Sequence, residues 1–296
     1  MRHPKPLTML LASTVLTASL WAQPSPPPAA GVPSGQGRSR GGAPASPAYI
    51  AAPRTDPNSQ IAHQQLLEKA KKGGIDLYFL GDSITRRWAT TDVQYKDFLA
   101  NFTENFYGWN AGNFGWGADS VQHVLWRIEN GELDGVNPKV IVLLAGTNNV
   151  SGQPYEGRAE EVTRGLKAVV AVCQAKAPNA TIVITGILAR STATAMPDIN
   201  RINENLAQFA DGKKVRFLNV NAQLTGPDGK LLDGMMVDGL HPAVKGYQVW
   251  ADGLKPVLTE LLGPRAKTDT APPHTGDPSA AARNAAPAPA PIPAAR

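Results

Sequence analysis

The chain of 296 residues contains one cysteine, Cys173. That excludes an intramolecular disulfide and any cysteine-rich metal site. Cys173 sits in an apolar helical pattern with Leu166, Val169 and Val170, so it reads as a small core residue. Histidine is nearly as scarce: between residues 58 and 263 only His63, His123 and His241 occur. Proline is depleted in the same stretch, which holds seven of the 26, while nine fall in 23–57 and eight in 264–296. Those flanks carry few large apolar side chains and bury too little surface to offset the entropy of ordering them. Composition therefore predicts one globular domain at 58–263, between a disordered Pro/Gly-rich linker, 23–57, and a disordered Ala/Pro-rich tail, 264–296. A domain of that size buries about 70% of its unfolded surface, ample for a core without staples.

The domain also lacks a charge excess. The net charge is +5, yet 58–263 holds 20 Lys and Arg against 21 Asp and Glu. The surplus lies in the flanks, with nine basic and three acidic residues. No basic stripe marks the domain, which argues against a nucleic-acid partner. No apolar run comfortably spans a membrane. The longest, Leu7–Trp21, is short and interrupted by Ser and Thr, and follows Arg2, His3 and Lys5. It reads as a secretory signal peptide over 1–22 with Ala22 as the cleavage position. The alternative is an uncleaved anchor. The expected location is secreted or periplasmic, without stable membrane insertion after cleavage.

What is present alternates. Short apolar runs at Ile75–Leu80, Asn105–Asn110, Val140–Ala145, Thr181–Ile187 and Val215–Val220 recur at the spacing of βαβ units. Between them, Asp119–Ile128, Glu156–Lys176, Asp198–Ala210 and Ala243–Leu262 carry helical apolar spacing, with Asp119 a natural N-cap. The expected fold is α/β, a three-layer sandwich around a five-stranded parallel sheet. Ligands of such sheets bind at the carboxyl ends of the strands.

Four such ends carry polar signals. Gly81-Asp82-Ser83 follows the first strand and sets Ser83 at a helix start, as a nucleophile or a helix cap. Asn113–Asp119 follows the second, a turn of small residues with uncovered N–H groups or a turn with no ligand. Gly146-Thr147-Asn148-Asn149 follows the third, where an Asn amide can face developing negative charge or form a turn. Late in the chain, Asp238 stands three residues before His241 and can fix its tautomer, leaving Nε2 to take a proton. His63 precedes the first strand and His123 lies on a helix; only His241 has an acidic partner in a strand-end loop.

Together these blocks resemble the SGNH (GDSL) hydrolase family. Gly81-Asp82-Ser83 matches its serine block, Asn113–Asp119 its glycine block, Gly146–Asn149 its asparagine block and Asp238-x-x-His241 its last block. The likeness spans about residues 75–262. The stretch Asn113–Leu133, then Pro138-Lys139 and Gly146–Asn149, is similar to the platelet-activating-factor acetylhydrolase catalytic subunits within that family. The resemblance implies a flavodoxin-like fold with strand order 2-1-3-4-5. It also implies Ser83, His241 and Asp238 as a catalytic triad. The oxyanion would be held by the N–H groups of Ser83 and Ala118 and by the Asn148 amide, with no metal or other cofactor. The family carries glycine where this chain has Ala118; the hole persists if φ there is negative, and Gly117 is the fallback donor. No Gly-x-Ser-x-Gly elbow surrounds Ser83, which argues against the α/β-hydrolase layout.

The expected activity is a secreted serine esterase acting on short acyl, chiefly acetyl, esters of small molecules or carbohydrates. Trp88, Trp109 and Trp116 lie beside the blocks, where they stack on sugar rings or pack in the core. Arg86 and Arg87 favour an acidic substrate or are merely solvated. A lysophospholipase or thioesterase, or a silent carbohydrate-binding or wall-associated module, is the alternative.

Overall fold

The computed structural model describes residues 46–279; the signal-peptide reading at 1–22 lies outside them. Five parallel strands form one sheet: β1 (Leu77–Gly81), β2 (Ala111–Gly115), β3 (Val140–Leu144), β4 (Thr181–Thr185) and β5 (Val215–Leu218). Their order is β2-β1-β3-β4-β5, as the resemblance implies. The chain leaves β1 for one side of the sheet and returns on the other, so a crevice opens beyond the ends of β1 and β3. In register Gly81 lies opposite Leu144 and Gly115, which brings the turns after β1, β2 and β3 to one level.

Successive side chains of a strand face opposite ways. On β1, Tyr78 and Leu80 join one core; Leu77 and Phe79 join the other. Helices α1 (Pro57–Lys72), α4 (Val121–Arg127), α5 (Arg158–Lys176) and α6 (Met196–Phe209) cover the first face. Helices α2 (Ser83–Trp88), α3 (Lys96–Phe106) and α8 (Val244–Leu262) cover the second. A single turn, α7 (Asn221–Leu224), precedes α8. Cys173 is fully buried in the first core, and burial pushes its thiol up to about 12. Among the described residues no helix is long and apolar enough to cross a membrane.

The structure corrects three expectations. The second strand is Ala111–Gly115, not Asn105–Asn110. Asn105 and Phe106 close α3, where Phe106 packs on Phe102 and Trp88, and Gly108 (φ +89°) and Asn110 (φ +51°) then turn the chain. The N-cap of α4 is Ser120, whose N–H donates to His123 Nδ1 at 3.0 Å. Asp119 is instead buried against an arginine.

The ordered body also exceeds 58–263. Ala48 is fully buried and its N–H donates to Glu161 Oε1 at 2.9 Å. Residues 264–279 form a strap across α1 and α3. Gly108 N–H donates to Asp269 Oδ2 at 3.0 Å, Lys69 Nζ to Thr275 Oγ1 at 3.1 Å, and Asp277 N–H to Asp92 Oδ1 at 2.7 Å. Composition missed these segments because hydrogen bonds to the domain order them, rather than large apolar side chains.

Candidate active site

The serine turn is built from close approaches. A Cβ on Gly81 would lie 2.2 Å from both Leu144 O and Thr85 Oγ1, so only glycine fits. Asp82 caps α2, its Oδ1 accepting from Ile84 N–H at 2.9 Å. Ser83 is therefore the first helical residue rather than the cap. Burial, reinforced by the nearby Asp119 charge, pushes the Asp82 carboxyl up to about 7.

Ser83 Oγ lies 3.0 Å from His241 Nε2, and His241 Nδ1 lies 2.8 Å from Asp238 Oδ2. The chain spans 158 residues of sequence between serine and histidine. A Cβ on Gly239 (φ +76°) would strike Ser191 Oγ at 2.2 Å, so the last loop also needs its glycine. Burial opposes the charge on Asp238. The N–H groups of His241 and Leu240 and the imidazole outweigh it and hold the carboxyl down at about 2. Burial lowers the pKa of His241, Asp238 raises it, and Arg87 and Arg190 add to the lowering. The carboxylate accepts a hydrogen bond from Nδ1–H, which keeps the proton on Nδ1 and leaves Nε2 to accept from the serine hydroxyl.

Asn148 Nδ2 donates to Asp119 O at 2.8 Å, which sets its amide against the loop after β2. Ala118 in that loop has φ +61°, in the left-handed region, so the negative φ on which an alanine donor was conditioned is not met, and the N–H is carried instead on the backbone path open to a glycine. The conformation is the one a glycine would adopt, and it identifies 118, not 117, as the special position. The two residues before it are clamped: Arg54 Nη1 donates to Gly117 O at 3.0 Å, and Trp116 N–H donates to Gly81 O at 3.1 Å. A left-handed alanine costs about 1–2 kcal/mol. Ala118→Gly should therefore raise stability, by about 1 kcal/mol after glycine's own entropy cost, measured as a higher urea midpoint at unchanged slope.

Sequence reasoning missed what holds this rim. Arg127 is fully buried behind it. Its Nε donates to Asp119 Oδ2 at 2.7 Å, Nη2 to Gly81 O at 3.0 Å and Nη1 to Phe114 O at 3.1 Å and to Glu132 Oε2. Glu132 Oε1 lies 2.7 Å from His63 Nδ1, which accounts for that histidine. One guanidinium thus braces the last residue of β1 and the loop after β2. Burial alone would lower its pKa, but Glu132 and Asp119 raise it. No local spacing links positions 63, 119, 127 and 132.

Three tryptophans leave the site. Trp88 stacks on Tyr247 and Trp250 in the core, Trp109 Nε1 donates to Gly263 O at 2.9 Å, and Trp116 Nε1 donates to Ser59 Oγ at 2.8 Å. All three are buried, so none offers a face to a sugar ring. Arg86 pairs with Asp92 at 2.7 Å and lies over the Trp116 ring; Arg87 lies 3.6 Å from Asp238 Oδ2.

A sequence profile of the GDSL-like lipase/acylhydrolase family matches residues 79–249, the span from β1 into α8. The chain belongs to this family. Bovine platelet-activating factor acetylhydrolase IB subunit alpha1 is 33% identical over 203 residues, covering 68% of this chain and 82% of that one. The rat alpha2 subunit is 32% identical over 203 residues, covering 68% and 83%. A GDSL-like lipase from Bacteroides thetaiotaomicron shares the fold at a TM-score of 0.54 and 18% identity, covering 67% of this chain and 97% of that one. As an acylhydrolase of this family the protein is a carboxylic ester hydrolase. The acylhydrolase has its serine, histidine and two asparagine-and-glycine turns on a single rim of the sheet.

Proposed function

We propose that the acylhydrolase is an exported serine esterase for short acyl, chiefly acetyl, esters of polar alcohols. The supporting observation is the hydrogen-bonded chain from Ser83 through His241 to Asp238, at 3.0 and 2.8 Å. In this reading His241 Nε2 removes the Ser83 proton as Oγ attacks the ester carbonyl. Asp238 stabilises the imidazolium. The oxyanion is met by the N–H groups of Ser83 and Ala118 and by the Asn148 amide; each such donor is worth about 3–4 kcal/mol in the barrier. His241 returns the proton to the departing alcohol. Water, deprotonated by the same histidine, releases the carboxylic acid and restores the serine.

The short acyl group is favoured by the curated relatives, whose names specify acetyl hydrolysis, and by the Ala118 methyl, which adds bulk at the oxyanion turn. Profiling 4-nitrophenyl esters of increasing chain length should show kcat/KM highest for acetate and falling with length. A steep rise toward long chains would transfer the assignment to a lysophospholipase or thioesterase. With the tryptophans in the core, a carbohydrate alcohol rests on export alone. Export is tested by whether the mature chain begins after Ala22 outside the cytoplasm.

The histidine must be neutral to act. Its pKa lies below the usual 6.5, so kcat/KM should stay level from neutral pH into mild acid and fall below it, with a midpoint under 6.5. A pH profile on a non-ionising ester measures this.

A further inference from the structure

Two guanidinium groups flank the triad, and the hydrolytic steps use neither. Arg87, on α2, has Nη1 3.6 Å from Asp238 Oδ2 and lies over the Tyr95 ring. Arg190 follows β4. Its Nη1 donates to Thr147 O at 3.1 Å, to Thr147 Oγ1 at 3.3 Å and to Ser151 Oγ at 3.1 Å, all on the loop that carries Asn148. The next residue, Ser191, donates its N–H to Gly239 O at 2.8 Å, in the loop of Asp238 and His241. Residues 190 and 191 thereby join the loop that carries Asn148 to the loop that carries Asp238 and His241.

Its bonding is one-sided. Among the described residues Arg190 has no carboxylate within ion-pair distance, and its buried Nε has no hydrogen-bond partner. The other arginines shielded from water behave differently. Arg54, Arg86, Arg127, Arg158 and Arg216 each pair with an Asp or Glu. A half-buried cation without a counterion is costly to hold. Nη1 anchors the group and Nε is enclosed, so Nη2 is the nitrogen left to meet an oxygen of a carboxylate or phosphate. Arg87 adds a second positive charge beside Asp238, whose own charge is committed to His241.

We propose that Arg190 and Arg87 form an anion subsite beside Ser83 that recognises a negatively charged oxyacid group on the alcohol portion of the ester. This rests on the esterase reading above. It narrows the substrate from polar alcohols to acidic ones, such as acetylated sugar acids or acetylated polyol phosphates. Arg190 is the anchor of the subsite and Arg87 supplies the field that draws the anion in.

The test compares kcat/KM of the full chain on two matched pairs. One is monoacetylated methyl glucuronoside against monoacetylated methyl glucoside; the other is acetylglycerol phosphate against acetylglycerol. Wild type should favour the anionic member of at least one pair by about tenfold or more, less so at high salt. Which pair shows it distinguishes carboxylate from phosphate. The ratio should collapse toward one in Arg190→Gln, fall in Arg87→Gln, and survive in large part in Arg190→Lys. A role confined to bracing the two loops would lower both members of a pair together and leave the ratio intact. Ratios near one in wild type, or unchanged in both glutamine variants, would overturn the subsite while hydrolysis of the neutral esters upheld the esterase. Calorimetry on Ser83→Ala with methyl glucuronoside and glycerol phosphate reads the subsite without turnover. Binding lost on adding Arg190→Gln supports it, and no binding of either anion counts against it.

Discussion

Ser83→Ala should lower kcat on acetyl esters by about 10⁴–10⁶-fold while leaving the thermal midpoint nearly unchanged. The expectation of intact stability follows from the local structure. Asp82, not Ser83, caps α2, and the hydroxyl's hydrogen bond is to His241. Removing one oxygen from the first turn releases only His241 Nε2 and breaks no hydrogen bond that holds the helix. His241→Ala should be equally damaging, and the double variant no worse than either single one, because the two act as a unit. Asp238→Asn should cost about 10⁴-fold, since an amide that donates to Nδ1 favours the wrong tautomer and leaves the protonated nitrogen facing the serine. Steady-state kinetics and thermal melts on the same preparations check all three. Retention of most activity in Ser83→Ala would remove the nucleophile from the proposed reaction.

The largest loss of stability is expected at Arg127. Arg127→Met keeps the apolar stem but leaves Asp119 and Glu132 buried without their common partner, and frees the carbonyls of Gly81 and Phe114. Breaking a buried pair from one side costs about 3–5 kcal/mol. The pH dependence has a definite sign. Burial already holds the Asp119 carboxyl up at about 6, and loss of Arg127 raises it further. A carboxyl whose folded value exceeds its unfolded one destabilises the fold where it is ionised. The deficit of the variant should therefore be greatest above neutrality and shrink as pH falls toward 5. Denaturant titrations at pH 8 and pH 5 measure it. Activity should fall as well, because the same guanidinium holds the turn before Ser83 and the loop containing Ala118.

The sheet was legible because parallel strands covered on both faces are continuous apolar runs, as in Val140–Leu144 and Thr181–Thr185. The site was legible for a related reason: such a sheet gathers its chemistry at the strand ends, so Ser83 and Asn148 follow β1 and β3 closely, while His241, just before α8, was marked by Asp238 three residues earlier. What failed to show has equally physical causes. The second strand, Ala111-Gly112-Asn113-Phe114-Gly115, is made of small residues because a Cβ at Gly112 would meet Ile75 at 2.8 Å and one at Gly115 would meet Arg86 N at 2.3 Å. Packing demands there override strand propensity. Trp88, Trp109 and Trp116 are adjacent to the motifs in sequence, but adjacency does not say which face a ring takes. Arg127 was silent because an ion network assembled from α1, α4 and the intervening loops has no linear signature.

The strap over 264–279 has a practical bearing on how the gene is cut for expression. A chain ended at the compositional boundary of 263 would strip the cover from Lys69, an ammonium whose burial already lowers it to about 8 and whose hydrogen-bond partners are Asn113 O and Thr275 Oγ1. Asn113 in turn donates to Thr85 O, two residues after the nucleophile. Trimming a stretch that looks like spacer would thus loosen the floor beneath the serine from the far end of the polypeptide.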